Sequence, residues 1–406
     1  LLSGKQSQKR LRIVSRMTEF GSSDKTYMEK IFQLNWQIVL IIFLIAGVGF
    51  SMLYSAASGD LSPWASRQML RFGIGVILML IISIIDIRFW LKMSYALYGI
   101  SFILLATVDV LGSVAMGAQR WLDLTLFQLQ PSEIMKIVMV MALARYFHGL
   151  EVGDAGRVRY LVIPLILILA PVALVLRQPD LGTAGVLGLI GAVMLWLAGI
   201  RVWQCLIFSF SSIAAIPIGW QFLHEYQKQR ILTFLNPDLD PLGSGYNIIQ
   251  SKIAMGSGGL FGKGFMEGTQ SHLNFLPEKQ TDFIFTMLAE EFGFIGGTTL
   301  IGLYALLISY CIFISFSCRS QFARLLSMGL VVNFFLYLFI NMAMVMGLIP
   351  VVGVPLPLIS HGGTAMLTLL IGFGLGNICA NSPSKEIPDC LSVSIKGNLS
   401  KDRVTK

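Results

Sequence analysis

In the stretch FLPEKQTDFIF, Phe275 to Phe285, Asp282 follows Gln280 and Thr281 at the point where a polar loop gives way to a long apolar run. A carboxylate in that position can take a proton from a reacting hydroxyl, or it can simply cap the helix that begins at Phe283. A second group lies in FQLQPSEIMKI. Pro131 suits a first helical turn, and Ser132 and Glu133 favour the same end. Glu133 and Lys136 are three residues apart and share a helix face. They could form a buried ion pair that sets helix register, or face a substrate with Lys136 on a phosphate. In RQPDLGTA, Asp180 is an N-cap candidate, Pro179 and Gly182 make a turn, and Arg177 is a candidate anion contact at the rim. The segment GSGGLFGKG offers glycine amides beside Lys263, with Lys252 upstream. Neither a Ser or Thr after Lys263 nor a preceding strand is present, so this is not a nucleotide loop. Flexible packing and approach to a phosphate stay open for it.

The elements that must hold these residues are membrane helices. Of 406 residues 55% are hydrophobic and 13% charged, against roughly 25% charged in soluble domains, and mean hydropathy is +0.73. Apolar runs near the length that crosses a bilayer are expected at 36–56, 68–85, 91–112, 132–147, 160–176, 181–200, 203–222, 283–316, 326–348 and 363–380. The expected fold is an all-α integral membrane protein of about ten transmembrane helices. No run of alternating strands suggests a barrel. Lys and Arg concentrate in the tails and in alternate connections, among them Arg88, Lys92, Arg145, Arg157, Arg201 and Arg324. Both termini are therefore expected in the cytoplasm, with the large loop 223–282 outside. The tails, 1–35 and 381–406, are assigned no structure, and no cleaved signal peptide is expected.

Three prolines and four glycines in GLIPVVGVPLPLISHGGTAM, Gly347 to Met366, forbid a continuous helix. Such backbone survives at membrane depth only where protein buries it or water lines it, so a re-entrant loop is expected, with Ser360, His361 and Thr364 facing a cavity. The net charge of +8 is spread over loops and tails, with no basic groove interleaved with aromatics. That excludes a nucleic-acid partner and fits topology and anionic lipid. Cys205, Cys311, Cys318, Cys379 and Cys390 lack metal-ligand spacing, and the four histidines are scattered, so no zinc site is expected.

These motifs, with TQSHLNFLPEKQTDFIFTMLAEEFGFIGG and PVVGVPLPLISHGGTAML, resemble the SEDS family of bacterial cell-wall polymerases from about Trp36 to Ala380. PVVGVPLPLIS is more similar to the RodA branch, which serves elongation, than to the FtsW branch, which serves division. The resemblance implies a ten-helix protein of the inner membrane that polymerises lipid II onto a lipid-linked glycan. It also implies a class B penicillin-binding protein as partner. It matches Asp282 to the family's essential outer-loop acid, and Glu133 and Lys136 to its functionally important pair. Two positions depart from the pattern: Gln280 stands where His is usual, and His361 where Tyr is usual.

The chemistry suits a carboxylate. A sugar 4-hydroxyl must lose its proton as it attacks an anomeric carbon while a lipid pyrophosphate leaves, and Asp282 would be the base. Glu133, Lys136, Arg177, Lys252, Lys263, Gln280, Thr281, Ser360 and His361 form the candidate substrate set, and Lys279 joins Lys252 and Lys263 as a loop cation that could hold pyrophosphate. Mg²⁺ or Mn²⁺ could neutralise the leaving anion, with Asp282 as a possible contact. An α-linked donor and a β-linked product need one inversion, hence no second carboxylate as nucleophile. A lipid II flippase is the rival, and it predicts polar groups spread across the midplane. A non-catalytic scaffold leaves the polar motifs unexplained. Glu290 and Glu291, two turns beyond Asp282, receive no role from the sequence.

Overall fold

The computed structural model describes residues 34–381 except 116–117, 124–127, 151–155, 237–243, 274, 277, 319 and the residues at 202, 205, 208–209, 212–213, 215–216, 218–219 and 222–224. The span expected at 203–222 and both tails therefore lie wholly or largely outside the described residues, as do Cys205, Cys390 and His224.

The described chain is almost entirely helical. The helices are α1 (Trp36–Ala56), α2 (Ala65–Ile84), α3 (Ile87–Leu111), α4 (Pro131–His148), α5 (Val158–Arg177) and α6 (Leu181–Leu197). They continue with α7 (Glu225–Leu235), α8 (Ser244–Ser257), α9 (Thr269–His272), α10 (Ile284–Ser317), α11 (Gln321–Val345) and α12 (Gly363–Asn381). Six of them, α1, α2, α3, α5, α10 and α11, are long and apolar enough to cross a membrane. The apolar helices α6 and α12 are shorter. Side chains such as Leu40, Ile77, Ile103 and Ile166 stand exposed on these helices. An apolar exterior of this kind matches a lipid solvent, not water. Between α3 and α4 a small antiparallel sheet forms from β1 (Ser113–Ala115), β2 (Ala118–Asp123) and β3 (Gln128–Leu129), in that order.

Helix α4 starts at Pro131, whose fixed φ suits the first turn. Being apolar nearly all round, it is buried along most of its length and forms the centre of one core with α6 and part of α11. A second core joins α1, α10 along much of its length, part of α11 and residues of α2 and α12.

Two features depart from regular helix. The run expected as one long span at 283–316 is broken at Gly293, whose φ is +67°. A Cβ at Gly293 would lie 2.3 Å from the Gly262 nitrogen, and one at Gly262 would lie 2.1 Å from the Glu291 carbonyl oxygen. Across this contact the amides of Lys263 and Gly264 donate to the carbonyls of Glu290 and Glu291, and those of Phe294 and Ile295 to Gly259 and Leu260. The glycine-rich segment is thus a packing surface for a helix break, with these amides already paired.

The second is the Pro/Gly-rich segment between α11 and α12, buried at Leu356, Leu358 and Ile359. Side chains replace the missing helical partners for its backbone. Asn341 Nδ2 donates to the Val354 carbonyl at 2.7 Å, Gln68 Nε2 to the Ser360 carbonyl at 2.8 Å, and Tyr304 Oη to the Pro357 carbonyl. Gly49 on α1 lets this segment in, since a Cβ there would stand 2.7 Å from the Ile359 Cα. This is the expected re-entrant loop, buried in protein as such backbone requires.

Candidate active site

A cavity of about 360 Å³ opens where the sheet, α4, α6, α7, α11, the loop before α10, the re-entrant loop and the start of α12 meet. Its wall includes Arg120, Glu133, Lys136, Asp180, Arg230, Glu278, Thr281, Asp282, Tyr337 and His361. Seven of the residues singled out from sequence, Glu133, Lys136, Asp180, Thr281, Asp282, His361 and Thr364, are therefore brought together from segments up to 231 residues apart (364 − 133).

Asp282 is half-buried, two residues before α10 begins. Its backbone is pinned by Asn341, whose Nδ2 donates to the Asp282 carbonyl at 2.9 Å while also holding Val354. Its carboxylate lies against Gly353, where φ is +78° and a Cβ would come within 3.6 Å of Oδ2. Burial and then the charge of Glu278 push the Asp282 carboxyl up to about 6, against the opposing pull of Arg230 and Arg120. Ser360 lies outside the cavity wall. Its hydroxyl donates to the Thr281 carbonyl and accepts from the Leu356 amide, tying the loop to the chain just before Asp282.

Glu133 and Lys136 form a buried ion pair of 2.7 Å on α4. Tyr337 completes the group: its hydroxyl donates to Glu133 and accepts from Lys136. Tyr337 and Asn341 are four apart on α11, so one helix face supports both the ion pair and the Asp282 backbone. Nothing in an apolar run such as NFFLYLFI distinguishes Tyr337 from a packing aromatic, which is why sequence reading missed it.

The cations also differ from those expected. Lys263 Nζ is held by Glu290 at 2.8 Å and by Thr269 at 2.7 Å. Lys279 donates to the Ser271 carbonyl, and the Lys252 amine packs beside Gly347. Arg177 is exposed at the end of α5. None of the four lines the cavity; Arg120 and Arg230 do. Arg120 Nε meets Asp180 Oδ2 at 3.1 Å, and Asp180 also caps α6 by accepting from the Thr183 amide and hydroxyl. The RW pair in GAQRW was the available signal for Arg120, and its place on a short strand hid it.

Glu290 and Glu291 fasten the loop that precedes α10. Glu290 accepts from the Gln270 and Ser271 amides, the Ser271 hydroxyl and Lys263, while Glu291 accepts from Ser55 and faces His272 Nε2 at 3.2 Å. The two departures from the SEDS pattern touch through backbone, the His361 amide donating to the Gln280 carbonyl at 2.9 Å. Burial, with Arg71 and Arg67, lowers His361 to about 4, so its ring is neutral near pH 7. Among the described residues no three His, Cys, Asp or Glu side chains converge as metal ligands.

Residues 32–382 match the cell cycle protein family that groups FtsW, RodA and SpoVE. The chain belongs to that family. It is 43% identical over 353 residues to a protein named peptidoglycan glycosyltransferase MrdB of Escherichia coli (strain K12), covering 86% of this chain and 94% of that one. It is 30% identical to peptidoglycan glycosyltransferase RodA of Treponema pallidum (strain Nichols), covering 84% and 96%. Among solved structures, one chain from work described as structural coordination of polymerization and crosslinking by a peptidoglycan synthase complex superposes with a TM-score of 0.75 at 31% identity, covering 86% of this chain and 98% of that one. Rod shape determining protein RodA of Thermus thermophilus superposes with a TM-score of 0.66 at 28% identity, covering 87% and 98%.

Proposed function

We propose that this protein is a peptidoglycan glycosyltransferase that polymerises lipid II into β-1,4 glycan strands for elongation of rod-shaped cells. The observation that carries this reading is the meeting of an acid, Asp282, with two arginines, Arg120 and Arg230, in one cavity. The relatives named peptidoglycan glycosyltransferase support the activity, and the solved relative named rod shape determining protein RodA supports the role in rod shape.

Asp282 is the base. It accepts the proton of the acceptor's 4-hydroxyl as that oxygen attacks the donor's anomeric carbon. The bond from that carbon to the pyrophosphate breaks, and the lipid pyrophosphate leaves with the electron pair. The anomeric centre inverts once, from α to β. A carboxyl raised to about 6 stays ionised near neutral pH, with a proton affinity close to the working pH. Arg120 and Arg230 face the charge that develops on the pyrophosphate. The Glu133–Lys136–Tyr337 group lines the same cavity, with Lys136 as a candidate substrate contact. The protein sits in the inner membrane with both termini cytoplasmic and the cavity on the outer side, where lipid-anchored sugars are presented. A class B penicillin-binding protein is the partner that cross-links the product.

The test is to give purified protein labelled lipid II in detergent, which has no leaflets between which to flip. Glycan strands resolved by gel are the expected result. Unreacted lipid II would favour a flippase or a scaffold.

A further inference from the structure

A second chamber of about 210 Å³ adjoins the first and shares with it Arg120, Asp180, Arg230, Val351 and Val352. The rest of its wall is largely apolar, including Pro179, Leu181, Ile231 and Pro350. The mechanism above gives this space no task. The Arg120–Asp180 ion pair and Arg230 thus stand where a polar chamber holding the base meets an apolar one.

A prenyl pyrophosphate sugar has the same order of chemistries: a polar sugar, a dianionic bridge and a hydrocarbon chain. We infer that the donor's pyrophosphate lies at the Arg120/Arg230 junction and the first isoprene units of its lipid enter the second chamber, leaving the donor sugar beside Asp282. This deepens the proposed activity and rests on it for the identity of the donor. Asp180 is then a positioning residue. As the cap of α6 and ion-pair partner of Arg120, it keeps the guanidinium beside the shared wall. At about 210 Å³ the chamber has room for roughly seven water volumes, which suits one or two isoprene units and not a whole lipid chain.

Two small probes separate the anion from the chain: inorganic pyrophosphate, which needs only the arginines, and geranyl pyrophosphate, which adds two isoprene units. Binding of each to the full-length protein in detergent is measured by titration calorimetry. Wild type should bind geranyl pyrophosphate about tenfold or more tightly than pyrophosphate, because apolar carbons are buried. Ile231→Trp and Leu181→Trp fill the chamber from α7 and α6 and should bring that ratio close to one. Arg120→Ala should weaken both probes together. Equal affinities in wild type, or an unchanged ratio in both tryptophan variants, would overturn the assignment. The binding ratio is independent of turnover, so wild type that shows it yet makes no glycan from lipid II would count against the proposed activity and leave the chamber assignment standing.

Discussion

Asp282 does two opposed things at the scale of a single residue. Its raised carboxyl means that protonation is favoured by folding: its contribution to stability is present below the ordinary carboxylate value of 3.8 and is lost as pH rises through about 6. Near neutral pH the ionised side chain therefore costs stability, as groups tuned for catalysis often do. Glycan synthesis should fall as pH is lowered through about 6, while Asp282→Asn should melt at or above the wild-type temperature near neutral pH. A melting temperature several degrees lower for the variant would show the carboxylate to be structural. Tyr337 makes a separate case. Removing its hydroxyl in Tyr337→Phe leaves Glu133 and Lys136 buried with fewer partners, at a cost on the order of 1–3 kcal/mol. Thermal unfolding in detergent should register that loss, and polymerisation should fall with it. Unchanged stability and rate would remove Tyr337 from the site. The acid and the ion pair were legible in the sequence because charge is rare in apolar runs, whereas Tyr337 was hidden among aromatics that serve as packing.

Among the elements, the break in α10 has the most consequence. Gly293 joins a short helix that starts just after Asp282 to the longer membrane-crossing part, and the glycine-rich loop docks on that joint. Composition alone suggested one continuous span, because periodicity cannot register a positive φ. For the same loop, packing and approach to a phosphate stayed open, because sequence does not reveal that the carbonyls of Glu290 and Glu291 already take the Lys263 and Gly264 amides. Gly293→Ala should cost upward of about 2 kcal/mol, from backbone strain together with the clash on Gly262 and Leu260. It should also reduce glycan synthesis by moving the start of α10. Wild-type melting and activity in this variant would contradict the account of the break. The re-entrant loop, by contrast, was readable, since proline and glycine density at membrane depth admits few other solutions.

For the whole molecule, hydropathy is enough to give an all-helical membrane protein, while assembly of the cavity is not readable from it. Arg120 comes from a strand, Arg230 from α7, and Asp282 from a loop held by Asn341 on α11. Local sequence carries no record of such long-range meetings, so loop lysines were the expected cations and strand and α7 arginines occupy the place. A polymerase of this build should work with a cross-linking enzyme. Purification from native membrane in mild detergent should recover a class B penicillin-binding protein, and its repeated absence would remove that partner. The central claim is that this cavity makes glycan with Asp282 as base. Its most direct measurement is gel-resolved product from labelled lipid II, comparing wild type with Asp282→Asn, which keeps shape and hydrogen bonding but takes up no proton. Positioned base catalysis contributes about 10² to 10⁴ in rate, so long strands from wild type and none from a folded Asp282→Asn protein is the predicted result. Long strands from both would contradict it.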